Sequence, residues 1–158
     1  MAGQIKVAGA VCLLVLACSS GPAGPTVQLK QLEGAPETIE IGDREFTLET
    51  YLWRDFFPVC PPDGRPLVAK TSVVGSGEER FPSYLDADYV WVINGEEVWG
   101  DPLVDEGAPG DENELVRVAR DGPMWKPLIH VDVVVRVVDA KGNTYLLRAA
   151  DQEIHLTS

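Results

Sequence analysis

The stretch Leu128 to Ala150, LIHVDVVVRVVDAKGNTYLLRAA, constrains the fold of this chain more than any other. Ile129, Val131, Val133, Val135 and Val137 occupy alternate positions, with His130, Asp132 and Arg136 between them. A period of two places the first set on one face of a strand, where stiff β-branched side chains suit a pleated surface. Asp139-Ala-Lys-Gly-Asn143 supplies turn chemistry: Asp139 suits the opening of a type I turn, and Gly142 a left-handed position. Thr144 to Ala150 then reads as the returning strand of a β-hairpin.

Upstream, the same grammar recurs in shorter pieces. Thr38 to Ile41 is a strand closed by Gly42-Asp43, and Phe46 to Trp53 alternates until Pro58 stops it. One face of that second strand carries Phe46, Leu48 and Leu52; the other carries Thr47, Glu49, Tyr51 and Trp53. Pro58 to Pro66 holds four prolines around the turn signal Asp63-Gly64 and reads as a rigid loop. Leu67 to Val74 is the next strand. Asn94-Gly95, between the apolar runs of Tyr89 to Trp99, predicts a tight hairpin that pairs Ile93 with Glu96, Trp91 with Val98 and Val90 with Trp99. Trp91 and Trp99 then lie on opposite faces, so at least one is buried. Glu114 to Arg120 reads as a strand, with a helix capped by Asp111 as the alternative. About seven short strands separated by turns predict an all-β fold, an antiparallel sandwich in a single domain over residues 31–158.

The first residues are a different object. Lys6 is the only charged side chain before Lys30, no acid appears before Glu33, and Val7 to Leu16 is an apolar run too short for a bilayer span of about twenty residues. It has the proportions of a signal-peptide core. The run ends in Val15-Leu16-Ala17-Cys18, which resembles the lipobox of bacterial lipoproteins. The resemblance implies cleavage after Ala17, a thioether-linked diacylglycerol on Cys18, and residues 1–17 as the removed signal. It also implies attachment to the membrane through the lipid, in the cell envelope. Ser19 directly after the cysteine is similar to lipoproteins sent on to an outer membrane, where the host has one. Residues 18–30, rich in Gly, Pro and Ser at their start, read as a flexible tether, and Val27 to Leu32 as an extended segment. For the body, a strand, the corner Asp121 to Pro127 and the long closing hairpin resemble the last strands of immunoglobulin or fibronectin type III domains.

Removing residues 1–17 takes away Lys6 and no acid, so the net charge of −12 deepens by one unit. So acidic a body repels nucleic acid and anionic lipid headgroups, which argues against a nucleic-acid partner. Of three cysteines, Cys12 leaves with the signal and Cys18 is consumed by lipid, so Cys60 has no disulfide partner. The fold therefore rests on its hydrophobic core.

Chemistry-bearing groups are few. Asp101, Asp105, Glu106, Asp111, Glu112 and Glu114 form an acidic loop whose oxygen ligands suit Ca²⁺, although their spacing does not match the twelve-residue calcium loop. A solvated loop is the simpler reading. His130, Asp132, His155, Cys60 and Met124 could in principle make a soft-metal site, but no metal motif joins them. Trp53, Trp91, Trp99 and Trp125 could form an aromatic platform, although core packing is the commoner use of tryptophan. Gly-x-Ser-x-Gly, His-Glu-x-x-His and phosphate-cradling loops are absent from the sequence. The expectation is a non-catalytic binding or structural module without a cofactor, acting on an envelope protein through the loops Pro58 to Pro66 and Asp101 to Glu114, whose six carboxylates are the candidate binding residues, with the Asp121-to-Pro127 corner behind them. An inhibitor of a secreted hydrolase, presenting the Pro58–Pro66 loop, is the alternative; a cation-dependent enzyme stands behind both.

Overall fold

The computed structural model describes residues 24–158. The expectations for residues 1–17 and for Cys18 fall outside the described residues. The fold is all-β. In chain order its elements are α1 (Leu29–Glu33), β1 (Thr38–Ile41), β2 (Arg44–Asp55), β3 (Val68–Gly75), β4 (Leu85–Asn94), β5 (Glu97–Pro102), β6 (Glu114–Ala119), β7 (His130–Asp139) and β8 (Thr144–Thr157). The eight strands form one sheet in the order β5-β4-β7-β8-β2-β3-β6, with β1 paired to β2.

The closing hairpin follows the sequence pattern. Val131, Val133, Val135 and Val137 all lie at 3% exposure or less on the inner face of β7. Asp139 organises the turn: its carboxylate accepts the backbone N–H of Lys141 and of Asn143, each at 2.9 Å. The alternation of β2 is also as expected, with Phe46, Leu48 and Leu52 inward. Glu114 to Ala119 is a strand, not a helix, antiparallel to β3.

The expectation of two wholly antiparallel sheets is corrected by β8. Fourteen residues long, it pairs antiparallel with β7 through its earlier part. Its last residues, Ile154 to Thr157, then pair parallel with Leu52 to Asp55 of β2. One strand long enough to serve two partners joins both halves into a single mixed, curled sheet. The curl brings the two terminal strands together at one bridge, where Val104, just past β5, and Val118 of β6 exchange both backbone hydrogen bonds at 2.9 Å.

The register of the β4–β5 hairpin differs from the one the Asn-Gly signal predicts. Asn94 pairs with Glu97, Ile93 with Val98 and Val92 with Trp99, so the two turn residues are Gly95 and Glu96. Gly95 takes φ 62°, and Glu96 is not at positive φ, which suits a turn with glycine in its first position. Trp91 consequently pairs with Gly100 and is 5% exposed, while Trp99 packs half-buried against the main core.

The middle of the sheet is apolar on both faces. Val90, Val92, Val133, Val135 and Leu147 face the main core. Trp91, Ile93 and Val134 face outward and form a second cluster with Leu32 and Ala35. Their cover is α1, where an extended tether end was expected. Leu29 and Leu32, three apart, fall on one helical face, and Gly34 and Pro36 end the helix. Five residues do not sustain a helix alone, so packing supports it, with burial of Leu32 contributing about 2 kcal/mol. Arg148 fastens the exit: its Nε donates to the Ala35 carbonyl at 3.1 Å, and its backbone N–H to that of Pro36 at 2.8 Å.

Candidate functional site

Two of the loops marked by the sequence meet at one end of the sheet, and Arg54 joins them. Arg54 follows Phe46, Leu48 and Leu52 on the inward positions of β2 and is only 3% exposed. Its Nε donates to the Arg65 carbonyl at 2.9 Å and its Nη2 to the Asp63 carbonyl, both in the proline loop. Nη1 donates to the Trp125 carbonyl at 2.8 Å, in the corner before β7, and Nη2 lies 3.4 Å from the Met124 sulfur. The Phe56 ring lies 4.9 Å from the guanidinium carbon. No carboxylate among the described residues forms an ion pair with it, so carbonyl dipoles and a ring face hold the charge. Burial draws the Arg54 pKa below its ordinary value, and the nearby Asp63 charge opposes that shift.

The proline loop is built from two successive β-turns. Cys60 N–H donates to the Phe57 carbonyl and Gly64 N–H to the Pro61 carbonyl, both at 2.8 Å. Pro58 and Pro62 fall at the second position of their turns, where a fixed φ is already correct. Arg65 N–H returns to the Asp55 carbonyl at 2.9 Å, closing the loop at its base. The Cys60 sulfur is taken up by Arg65 Nε at 3.4 Å. The corner is tied in turn: Gly122 N–H donates to the Leu67 carbonyl at 3.0 Å, and Trp125 Nε1 to Glu97 at 2.6 Å.

These braced segments expose apolar side chains. Val59 at the loop tip is 88% exposed, Phe57 45%, Met124 49% and Leu128 65%. Leu128 also takes φ 66°, a left-handed conformation that a bulky residue seldom adopts. Its N–H donates to the Ile154 carbonyl at 2.7 Å, so the turn into β7 holds it there.

The acidic loop does not converge. Glu106 forms a two-pronged pair with Arg120 at 2.7 and 2.9 Å, which pulls the Glu106 pKa down and the Arg120 pKa up. Asp105 accepts the Gly107 N–H at 2.9 Å and lies 3.6 Å from Arg117. Glu112 faces Arg80 at 3.3 Å, Asp111 is exposed, and Glu114 opens β6. Asp101 belongs to β5, where burial and the charge of Asp121 push its pKa up. The six carboxylates are thus shared out among arginines and separate elements. Among the described residues no group of three or more His, Cys, Asp or Glu side chains is placed to hold a metal ion.

Nor do His130, Asp132, His155, Cys60 and Met124 assemble. Cys60 and Met124 are engaged by Arg65 and Arg54, and Asp132 by Arg148 at 3.3 Å. The histidines do share a neighbour that the sequence reading missed. Glu153 lies 3.7 Å from His130 and 3.6 Å from His155, while His130 also meets Asp151 at 2.9 Å. His155 stacks on Tyr51 with ring centroids 4.8 Å apart. The four tryptophans form no common platform, since Trp91 lies in the outer cluster while Trp99 and Trp125 pack against the main core.

No protein-family model matches the chain, and no curated protein or solved structure is significantly similar to it.

Proposed function

We propose that this chain is a lipid-tethered module of a bacterial cell envelope that binds a protein partner, without catalysis, through its braced loop end. The observation that carries the proposal is the exposure of Val59, Phe57 and Met124 on segments pinned by one buried arginine, with exposed Leu128 beside them, held by the Ile154 carbonyl. Exposed apolar groups on stiff loops lose little conformational entropy on docking, so more of their burial appears as affinity. The lipobox-like Val15-Leu16-Ala17-Cys18 supports attachment through lipid on Cys18, in the outer membrane where the host has one. The immunoglobulin-like reading of the fold is kept as an architectural analogy, supported by β6, the corner and the β7–β8 hairpin. It must accommodate the parallel β2–β8 pair.

The test is recovery of envelope proteins on the wild-type chain and on a Val59→Ser, Met124→Ser double variant. The proposal expects a partner retained by the first and lost by the second; equal recoveries would refute it. Intact mass of membrane-extracted protein tests the anchor separately: a chain beginning at a modified Cys18 is expected, and an unmodified cysteine overturns it.

A second reading, an inhibitor of a secreted hydrolase, is favoured by one observation: Val59, Pro61, Pro62 and Asp63 are all exposed. The double turn makes this loop a blunt knuckle that fills a cleft, unlike an extended strand lying along one. Retention of a hydrolase with loss of its activity would select this reading.

A further inference from the structure

We propose that the outer edge of β5 is a docking site for a short, basic, extended segment of a partner protein, which adds to the sheet as a further strand. The inference does not depend on the braced loops. Asn94 and Glu97 flank a two-residue turn and form its hydrogen-bonded pair, which sets the direction of every later backbone group. Glu97, Trp99 and Asp101 point their N–H and C=O groups towards β4, and Leu103 continues the series by donating to the Asp88 carbonyl at 3.0 Å. The even-numbered residues therefore point away. Val104 spends both groups on Val118, and Pro102 has no N–H to offer.

That leaves Val98 and Gly100, whose backbone groups have no partner among the described residues. Val98 is 41% exposed. Their outward groups are two residues apart, one repeat of an antiparallel ladder, so a partner strand meets both at once. The Val104–Val118 bridge and Pro102 limit the opening at its far end, which is why the segment must be short.

Charge selects the occupant. Glu96 and Glu97 lie at one end of the open stretch and Asp101 at the other. Asp101 has no cationic partner among the described residues, and burial together with Asp121 already pushes its pKa up. Acidic side chains on an edge discourage pairing with a second copy, because like charges would then lie opposite each other. The same charges favour a strand bearing Lys or Arg beside its bonding positions.

The experiment titrates the full chain with a capped octapeptide of alternating lysine and valine. Controls are its glutamate counterpart and a version N-methylated on alternate residues. The proposal expects the lysine peptide alone to bind, with amide exchange of Val98 and Gly100 slowed about tenfold or more while Glu97 and Trp99 change little. Val98→Pro, which removes one outward donor, should abolish binding with little change in melting temperature. Should that variant unfold, Glu96→Lys on the exposed turn serves instead, weakening the lysine peptide about threefold. Equal binding of the N-methylated peptide, binding without protection at Val98 and Gly100, or no binding of the lysine peptide would each overturn the proposal.

Discussion

Replacing Arg54 by leucine gives the sharpest test of how the loop end is held. Leucine preserves much of the buried volume and removes every donor. Three well-placed bonds are lost, to the carbonyls of Asp63, Arg65 and Trp125. Hydrogen bonds from a charged group contribute about 1.5–3 kcal/mol each, which sets a gross loss of about 4–6 kcal/mol when partial overlap is allowed for. Two effects reduce it. Asp63 and Arg65 are exposed, so their carbonyls regain water, and the variant no longer buries a guanidinium whose desolvation already lowers its pKa. A net cost of about 2–3 kcal/mol remains, equivalent to about 10 °C in melting temperature for a domain of this size. Urea unfolding should show a lower midpoint with an unchanged slope, because the surface exposed on unfolding is nearly the same. Amide exchange should accelerate first at Cys60, Gly64 and Arg65. Arg54→Lys, which keeps the charge and part of the bonding, should fall between. A leucine variant melting within about 2 °C of the parent, with unchanged exchange in the loop, would refute the bracing role.

Three further outcomes follow from local structure. Leu32→Ala, which empties the contact of α1 with Trp91, should cost about 2–3 kcal/mol and shift tryptophan emission to the red, as measured by urea unfolding and fluorescence. Leu128→Gly relieves a left-handed leucine that is mostly solvent-exposed, so melting should rise by a few degrees, corresponding to about 1 kcal/mol. The bonds from Asn143 and Lys141 hold the Asp139 pKa below its ordinary value, so its stabilising effect is present above the ordinary carboxylate range and is lost as pH falls through the lowered value. Asp139→Ala should therefore melt lower than wild type at neutral pH, and the difference should shrink on acidification; a constant difference would refute the assignment.

What could be read in advance was what short-range chemistry encodes. The alternation of β7, the Asp139–Asn143 turn and the inward set Phe46, Leu48 and Leu52 all follow from periodicity and turn residues. The parallel pairing of β8 with β2 joins residues about a hundred positions apart, and no local period announces it. Arg54 did carry a signal, since parity places it on the same face as Leu52. Its charge argued for the surface, and only the ring of loop carbonyls reverses that preference. The helix α1 was marked by Leu29, Leu32, Gly34 and Pro36, but the pattern is too brief to outweigh an extended reading. Its stability comes from Trp91 and Val134, which belong to distant strands. The acidic loop was visible as composition, whereas its division among Arg80, Arg117 and Arg120 depends on where β3, β4 and β6 place their neighbours.

The double partnership of β8 also orders the assembly of the sheet in time. Among the described residues, seven strands precede β8. Until it arrives, β4, β5 and β7 share no continuous ladder among the described residues with β1, β2, β3 and β6, apart from the Val104–Val118 bridge. A nascent chain can therefore form hairpins early and still lack the seam that makes them one cooperative body. The fold locks only when Thr144 to Thr157 has emerged.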